Sequence, residues 1–433
     1  MAMRRHGPMA AVVLAAAVLA GCGSDAGSGG KTEITFWDTN AGPARTPVWQ
    51  HAIAEFEKAN PTIKVNYVGV PIAQSAQKID TAIAGGGVPD VADVSTSGLA
   101  NLVAQKALEP VDERIARNPA LNGKFNEALL TTVKNVVPDG KMYIYPTSTN
   151  AGAFWYRKDW FKDAGLEPPK TWSEFFATVD KLTKPGENRF GFTIRGGSGS
   201  IAQMLEVVYG QSGVTEFFDA AGKATLNDPR NVTALEKYAG LYKKNTPEGD
   251  LQNDYVKMVA QFDTAGSIAI MQHNLGSYQD HMKALGPGKV ASFSVPRSDS
   301  GTQSVLSNPV GGVGVFSAGE NKEAAFKLAE FFASKDMDGY ISKETGVIPA
   351  NTDVTDKMPD HIVEAQRVLN DPATKVVQMP YHLPEFNEIT KTWAEPQFQK
   401  VLLGQLSAKD FLDQFAAKLT EAQAGYKQRN GGS

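Results

Sequence analysis

After position 33 the apolar residues follow the spacing of strands and of helices in turn. Residues 34–37 form a short β-rich run, and residues 63–67 alternate between apolar and polar side chains as a strand does. Residues 46–60 and 73–84 repeat their apolar side chains at helical spacing, and a further strand-like run covers residues 90–94. This strand–helix–strand–helix–strand order predicts an α/β fold with parallel strand pairing.

Later segments keep the helical period and add clear start signals. Thr171 and Glu174 have the spacing of a capping box, and Ser407 precedes the last apolar helix face as a capping residue would. Residues 323–334 are amphipathic. The roughly 410 residues that follow position 21 exceed what one hydrophobic core usually serves, so two domains are expected.

The N-terminus has the architecture of an export signal. Two arginines at residues 4–5 precede an apolar run at 10–20, which is shorter than the ~20 residues that span a bilayer. The run ends in Leu-Ala-Gly-Cys22, which resembles a bacterial lipobox, and Cys22 is the only cysteine of the chain. We therefore expect a signal peptide at 1–21 and a lipidated, flexible tether at 22–33, rather than a lone structural cysteine.

Charge and motif content exclude several classes of protein. The chain has 43 Lys+Arg and 47 Asp+Glu, so removal of the two signal arginines leaves 41 against 47, a net charge of −6. No basic stripe is present, so no nucleic-acid partner is expected. The sequence has no HExxH, GxSxG or Walker motif, and the five histidines after residue 50 lack a cysteine partner and an i,i+4 pair. We expect no catalytic residue, no metal site and no cofactor.

Polar residues follow two of the predicted strands at their carboxyl ends, where open α/β sheets bind ligands. A tryptophan ring that covers a C–H face, beside side chains that bond vicinal hydroxyls, suits a sugar. The alternative is a core tryptophan with Asp and Asn in a turn. The candidate ligand contacts are Trp37, Asp38 and Asn40 after the first strand, and Asp93, Ser95 and Ser97 after a later one.

A glycine- and serine-rich run at residues 196–200 follows Arg195. It could form a structural turn, or a loop whose Arg195 and Ser198 donate hydrogen bonds to a hydroxyl-rich ligand. The sequence leaves both interpretations open. The glycines at 85–87 lack the spacing of a phosphate-binding loop and are interpreted as a tight turn.

Several segments carry a resemblance to a known family. Residues 154–175 are FWYRKDWFKDAGLEPPKTWSEF, residues 87–91 are GVPDV, residues 311–313 are GGV, and residues 345–350 are TGVIPA. In this order they resemble family 1 extracellular solute-binding proteins, the maltose-type carbohydrate-binding proteins of bacterial ABC importers. The resemblance covers residues 34–424.

The resemblance implies an α/β fold of two lobes with a ligand cleft between them and hinge crossings near residues 145–146, 292 and 346–349. Lobe 1 would comprise residues 34–146 and 292–346. Lobe 2 would comprise residues 147–291 and 347–425, followed by a tail at 426–433. Hinge closure around the ligand would then give the form that the permease recognises.

The resemblance also implies ligand contacts on matching segments. The usual tryptophan of the "GSW" segment is absent from residues 266–278, so His273, Asn274 and Tyr278 are its possible substitutes. Trp155, Trp160 and Trp172 are interpreted as packing residues. Beyond the residues named above, the implied cleft contacts are Asn150, His273, Asn274, Gly312, Tyr381 and His382.

The expected function is capture of a mono- or oligosaccharide outside the cell and its delivery to the permease subunits of an ABC transporter. The protein would be a monomer, tethered by lipid to the outer face of the cell membrane. Two other classes stay open. One is a lipid-anchored enzyme that acts on glycosides, which needs two carboxylates in the cleft. The other is a sensory or interaction lipoprotein without a small ligand.

Overall fold

The computed structural model describes residues 31–355 and 358–431. The predicted signal peptide, Cys22 and most of the predicted tether lie outside these residues. The strands are β1 (Thr32–Asp38), β2 (Ile63–Gly69), β3 (Val91–Ser95), β4 (Tyr145–Thr149), β5 (Gly152–Arg157), β6 (Phe190–Thr193), β7 (Ile268–Asn274), β8 (Val290–Phe293), β9 (Ser304–Leu306), β10 (Gly311–Val315), β11 (Ile348–Pro349) and β12 (Lys375–Val377).

The helices alternate with these strands in both halves of the chain. They are α1 (Thr46–Ala59), α2 (Ile72–Gly85), α3 (Thr96–Ala104), α4 (Asp112–Arg117), α5 (Glu127–Asn135), α6 (Lys158–Ala164), α7 (Trp172–Leu182), α8 (Ser200–Ser212), α9 (Pro229–Ala239), α10 (Tyr255–Val259), α11 (Tyr278–Leu285), α12 (Lys322–Phe332), α13 (Lys335–Thr345), α14 (Asp360–Asn370), α15 (Phe386–Glu388), α16 (Glu395–Leu402) and α17 (Ala408–Arg429).

The first lobe is built on a six-stranded sheet with the order β11-β4-β10-β3-β1-β2. β1 pairs in parallel with both β2 and β3, which confirms the pairing predicted from the sequence. β10 runs antiparallel between β3 and β4. Helices cover both faces of this sheet, and Phe36 of β1 packs against Trp49 of α1 and Phe332 of α12.

The second lobe is built on a four-stranded sheet with the order β6-β7-β5-β8, beside a separate parallel pair of β9 with β12. Its largest apolar core collects α7, α8, α9 and α17 around the sheet. Trp155 and Trp172 are fully buried and Trp160 is nearly so, which confirms their interpretation as packing residues. The predicted capping box at Thr171 and Glu174 is present at the start of α7.

The chain changes sheets at three places. β4 stays in the first sheet to Thr149, and β5 begins in the second sheet at Gly152. The return lies between β8 and β10, and the last departure from the first sheet follows β11. Strand pairing continues for a few residues past the lobe boundaries expected at 146, 291 and 346. The exact boundaries stay a prediction.

Both ends of the folded part extend further than the sequence indicated. β1 begins at Thr32, inside the expected tether, because its backbone pairs with Ile63 of β2. The tail expected from residue 426 is helical as far as Arg429, since the ring of Tyr426 packs 4.8 Å from that of His382. Within residues 31–355 and 358–431, no helix has the length and apolar character needed to cross a bilayer, and no three metal-ligating side chains cluster.

Candidate ligand-binding site

A cavity of about 150 Å³, lined in part by polar side chains, lies on the second lobe, where the chain crosses between the lobes. We call it the inner cavity. It is bounded by the start of β5, the segment that leads into α8, the end of β7, and the loops after β9 and before α15. Its lining residues are Gly152, Arg195, Gly199, Ala202, Gln203, Glu206, His273, Asn274, Leu306, Ser307, Asn308, Met379 and Tyr381. The fold thus brings together four predicted site residues, Arg195, His273, Asn274 and Tyr381.

The loop at 196–200 combines a structural turn with a wall of the inner cavity. A side chain at Gly196 would lie 2.6 Å from the carbonyl oxygen of Asp250, so glycine is required there for packing. Arg195 Nε donates to the carbonyl oxygen of Ser198 over 2.5 Å, and the amide of Gly199 donates to Glu395 over 2.6 Å. These bonds place the Arg195 guanidinium at the cavity, while the Ser198 side chain does not line it.

His273 lines the inner cavity as a neutral imidazole. Its ring stacks on Tyr255 with 4.3 Å between ring centres. Burial, helped by the nearby charge of Arg195, lowers the pKa of His273 to about 3. Its Nδ1 and the Oε1 of Gln203 are buried and find no hydrogen-bond partner within the part of the chain that the structure describes. Both residues line the inner cavity, so its lining contains polar groups whose hydrogen bonds are unmet.

Glu206 is a lining residue that the sequence analysis missed. Its side chain is 8% exposed, and Oε2 accepts a 2.9 Å hydrogen bond from Gln272 Nε2. Burial raises the pKa of Glu206 to about 7, and no ion pair offsets this among the described residues. A side chain at Gly152 would lie 2.0 Å from both carboxylate oxygens, so glycine at the crossing makes room for this acid. A sequence signal existed, because Glu206 is an acid in a mostly apolar helix and lies one turn after the polar Gln203.

Three predicted residues, two of them in the lining of the inner cavity, hold the crossing region together. Asn150 Oδ1 accepts hydrogen bonds from the amides of Ala151 and Leu275, over 3.0 and 3.1 Å. The Tyr381 hydroxyl donates to the carbonyl oxygen of Ser307 over 2.9 Å. Asn274 Oδ1 accepts from the amide of Gly276 over 3.0 Å.

His382 and Ser97 lie outside the inner cavity. They line a neighbouring cavity of about 500 Å³, which we call the outer cavity. His382 Nε2 is 2.6 Å from Gln423 Oε1 on α17. The hydroxyl of Ser97 donates to Ser95 Oγ over 3.1 Å at the start of α3.

A second polar group lies at the carboxyl edge of the first-lobe sheet. Asp38 Oδ2 accepts a 2.9 Å hydrogen bond from the Tyr67 hydroxyl, and its Oδ1 lies 3.9 Å from Arg45 Nε. Arg45 also donates to Asp93 over 3.0 Å. Two predicted acids thus share one cation, Arg45, which the sequence analysis missed. The sequence feature that could have indicated Arg45 was its place in the loop directly after the first strand.

The two acids of this group differ in their surroundings. Burial and the charge of Asp38 raise the pKa of Asp93 to about 6, against the opposing charge of Arg45. The Tyr67 hydroxyl has its pKa raised to about 12 by burial and by Asp38. Tyr67 is therefore a hydrogen-bond donor to Asp38 throughout the physiological range. The amide of Asn40 donates to Asp38 Oδ1 over 3.1 Å, which fixes the predicted loop.

Two predicted residues are packed away from open space. Trp37 is 8% exposed, and the Lys78 ammonium of α2 lies 4.6 Å from its ring centre. Gly312 is buried in β10, where a side chain would lie 2.6 Å from the carbonyl oxygen of Tyr145. Tyr278, considered as a replacement stacking residue, packs on His361 with 4.2 Å between ring centres. The ligand contacts predicted for Trp37 and Gly312 stay predictions.

Comparison with known proteins identifies the family of this chain. Residues 42–338 match the family described as bacterial extracellular solute-binding protein. The chain belongs to this family. Among curated relatives, a putative binding protein of Brucella abortus is 27% identical over 310 residues, which is 70% of this chain and 73% of that protein. The arabinooligosaccharide-binding protein of Bacillus subtilis is 28% identical over 296 residues, 66% of each chain.

Solved structures share the two-lobed fold. The sugar-binding protein MalE of Xanthomonas citri has a TM-score of 0.77 at 20% identity, with 92% of this chain and 98% of that chain covered. The GacH receptor of Streptomyces glaucescens, solved unliganded and with acarbose, has a TM-score of 0.74 at 22% identity, with 92% and 100% covered. This likeness confirms the predicted fold class, an α/β protein of two lobes, for this solute-binding protein.

Proposed function

We propose that this solute-binding protein captures a neutral carbohydrate in the cleft between its lobes and delivers it to the permease subunits of an ABC importer. The inner cavity carries the proposal. Its donors and acceptors, among them the unpartnered Gln203 Oε1 and His273 Nδ1, match a ligand that presents many hydroxyl groups. The group of Asp38, Arg45 and Asp93 is proposed to contact the ligand from the first-lobe side of the cleft.

The charges of the inner cavity favour a neutral ligand over an anion. Arg195 is its cation, and Glu395 and Asp254 lie close enough to oppose the lowering of the Arg195 pKa by burial. Glu206 adds an acid to the lining. An anionic ligand would meet this acid without water to screen it, whereas a hydroxyl can donate to it.

The names of relatives support a carbohydrate, and one of them supplies the competing ligand class. The relatives include the arabinooligosaccharide-binding protein of Bacillus subtilis and the MalE of Xanthomonas citri. A sn-glycerol-3-phosphate-binding protein of Salmonella typhimurium is 32% identical over a shorter stretch of 167 residues. Glycerol 3-phosphate is therefore the anionic probe that a ligand screen must include.

We further propose that the protein is not an enzyme. Glycoside hydrolysis uses a pair of carboxyl groups on either side of the scissile bond. Glu206 is the one acid among the described residues that line the inner cavity. Incubation with glycosides should therefore leave them intact at any concentration that saturates binding.

Replacing Arg195 by methionine should weaken binding of the cognate sugar about tenfold, since the guanidinium supplies charge-assisted hydrogen bonds to hydroxyls. The sugar is first found by thermal shift across mono- and oligosaccharides, with glycerol 3-phosphate as the anionic probe. Calorimetry then compares Arg195→Met with Arg230→Met, an exposed arginine of α9 that pairs with Asp228. Equal affinities for both variants, or stabilisation by glycerol 3-phosphate alone, would contradict the proposal.

Membrane attachment is proposed through Cys22, because the export signal ends at this lone cysteine. Changing Cys22 to alanine should release the protein from the membrane fraction into the medium, with sugar affinity unchanged. Fractionation and mass spectrometry of the N-terminal peptide make the measurement. Wild-type protein found wholly in the medium with an unmodified cysteine would show that the anchor assignment is wrong.

A further inference from the structure

The outer cavity adjoins the inner one. Tyr381 lines both cavities. Asn308 lines the inner cavity, and the next residue, Pro309, lines the outer one. One wall of the outer cavity is α3 of the first lobe, and the opposite wall is the loop before α15 together with the last turn of α17. The two cavities therefore adjoin at Tyr381, and the outer one reaches the C-terminal helix.

The outer cavity has more aromatic side chains in its lining than the inner one. Phe386 and Tyr426, both half-buried, supply aromatic surface beside Tyr381. The ring of Phe386 meets Tyr381 edge to face, with 6.2 Å between ring centres. The Arg429 guanidinium at the rim is paired with Glu385 over 2.8 Å. The aromatic side chains suit the C–H face of a sugar ring. The charge of Arg429 is already balanced by Glu385, so the outer cavity offers little to a charged ligand.

The volumes limit what each cavity can hold. Pockets that enclose drug-sized ligands measure ~300–1,000 Å³, and the inner cavity of about 150 Å³ lies well below this range. The outer cavity of about 500 Å³ lies within it. The inner cavity is thus sized for the end of a ligand, and a ligand confined to it would leave the larger aromatic space empty.

We propose that the ligand is an oligosaccharide whose terminal residue lies in the inner cavity and whose following residues pass Tyr381 into the outer cavity. This inference rests on the proposed function and adds ligand length to it. The last turn of α17 then becomes part of the recognition surface through Tyr426. Since α3 and α17 come from different lobes, the outer sugar residues contact both and favour the closed arrangement of the lobes.

A blocking substitution tests the length of the ligand. Ala104 is an exposed residue at the end of α3 that lines the outer cavity, so Ala104→Trp fills the space without removing a contact. Ala84→Trp is the matched control, because Ala84 is exposed in the last turn of α2 and lines neither cavity. The probes are two ladders measured by calorimetry: glucose, maltose and maltotriose, and arabinose, arabinobiose and arabinotriose.

In the ladder that binds, we expect the wild-type protein to bind the trisaccharide about tenfold tighter than the monosaccharide, since each further ring removes apolar surface from water. Ala104→Trp should abolish this gain and leave monosaccharide affinity unchanged, whereas Ala84→Trp should behave as wild type. Equal affinities along the ladder, with Ala104→Trp inert, would overturn the oligosaccharide inference and leave the proposed function standing. Binding of glycerol 3-phosphate alone would instead overturn the proposed function.

Discussion

Replacing Arg45 by methionine is expected to lower the free energy of unfolding by about 2–4 kcal/mol, because two buried acids lose their shared cation. Asp38 is 0% exposed and Asp93 13% exposed, while Arg45 itself keeps 24% of its side chain in solvent. Removing the guanidinium leaves two like charges close together without their shared cation, although Asp38 keeps its hydrogen bonds from Tyr67 and Asn40. Asp93 would take up a proton at a higher pH than before, and the loop between β1 and α1 would lose its fixed position.

The loss should depend on pH with a defined sign. The pKa of Asp93 is already raised to about 6 in the folded protein, above the ordinary value of an aspartate. A raised carboxyl pKa favours folding at low pH and costs stability as the pH rises through the folded pKa. Arg45→Met raises this pKa further, so the variant should be more destabilised at pH 8 than at pH 5.

Urea unfolding at pH 5 and pH 8 measures both effects. Arg117→Met is the matched control, since Arg117 is 78% exposed and pairs with Glu113 on the surface of α4. A surface pair of this kind contributes only about 0.2–1 kcal/mol. The double variant Arg45→Met/Asp93→Asn should recover part of the stability at pH 8. A loss in Arg45→Met no larger than that in Arg117→Met would show that the shared cation is unimportant.

Features set by local chemistry were predictable from the sequence. The capping box of Thr171 and Glu174 involves residues three apart, and it forms as expected. The alternation over residues 63–67 gives β2, and the strand–helix order gives parallel pairing of β1 with its neighbours. These features need only the chain's own spacing, so a single sequence carries the information.

The site depends on contacts that spacing does not encode. Arg45 meets Asp93 across 48 positions, and Glu206 meets Gln272 across 66. Glu206 stands in an apolar helix, and only the crossing at Gly152 places its carboxyl beside a cavity. Resemblance to a family supplied the segments that line this cavity, but the buried acid Glu206 in its lining and the cation Arg45 at the first-lobe sheet emerged only from the fold.

Trp37 shows why a strand end is ambiguous. Its neighbour Phe36 packs on one face of the sheet against Trp49, and Trp37 lies on the other face beneath Lys78. A sheet with helices on both faces buries successive residues of a strand, so burial reaches the last apolar position before Asp38. An aromatic residue next to an aspartate therefore does not by itself indicate an open binding surface.

Glu206→Gln should remove a pH dependence of both stability and sugar affinity. The folded protein holds the pKa of Glu206 near 7, above the ordinary value of a glutamate, so ionising it costs stability as the pH rises toward 7. Glutamine keeps the shape and still accepts from Gln272. The variant should therefore be more stable than wild type by about 2–3 kcal/mol at pH 8 and equal to it near pH 4.

In the wild-type protein, sugar affinity should rise with pH, whereas the free energy of unfolding should fall. An ionised Glu206 accepts hydroxyl hydrogen bonds more strongly than a protonated one, so binding should weaken about tenfold from pH 8 to pH 5.5 as the carboxyl takes up a proton. Calorimetry over this pH range compares the wild-type protein with Glu206→Gln and with a control variant, Glu236→Gln. Glu236 is an exposed residue of α9. Glu236→Gln should keep the wild-type slope, and Glu206→Gln should bind at every pH with about the affinity that the wild-type protein has at pH 5.5. A slope that persists in Glu206→Gln would assign the titration to another group and remove this acid from the ligand contacts.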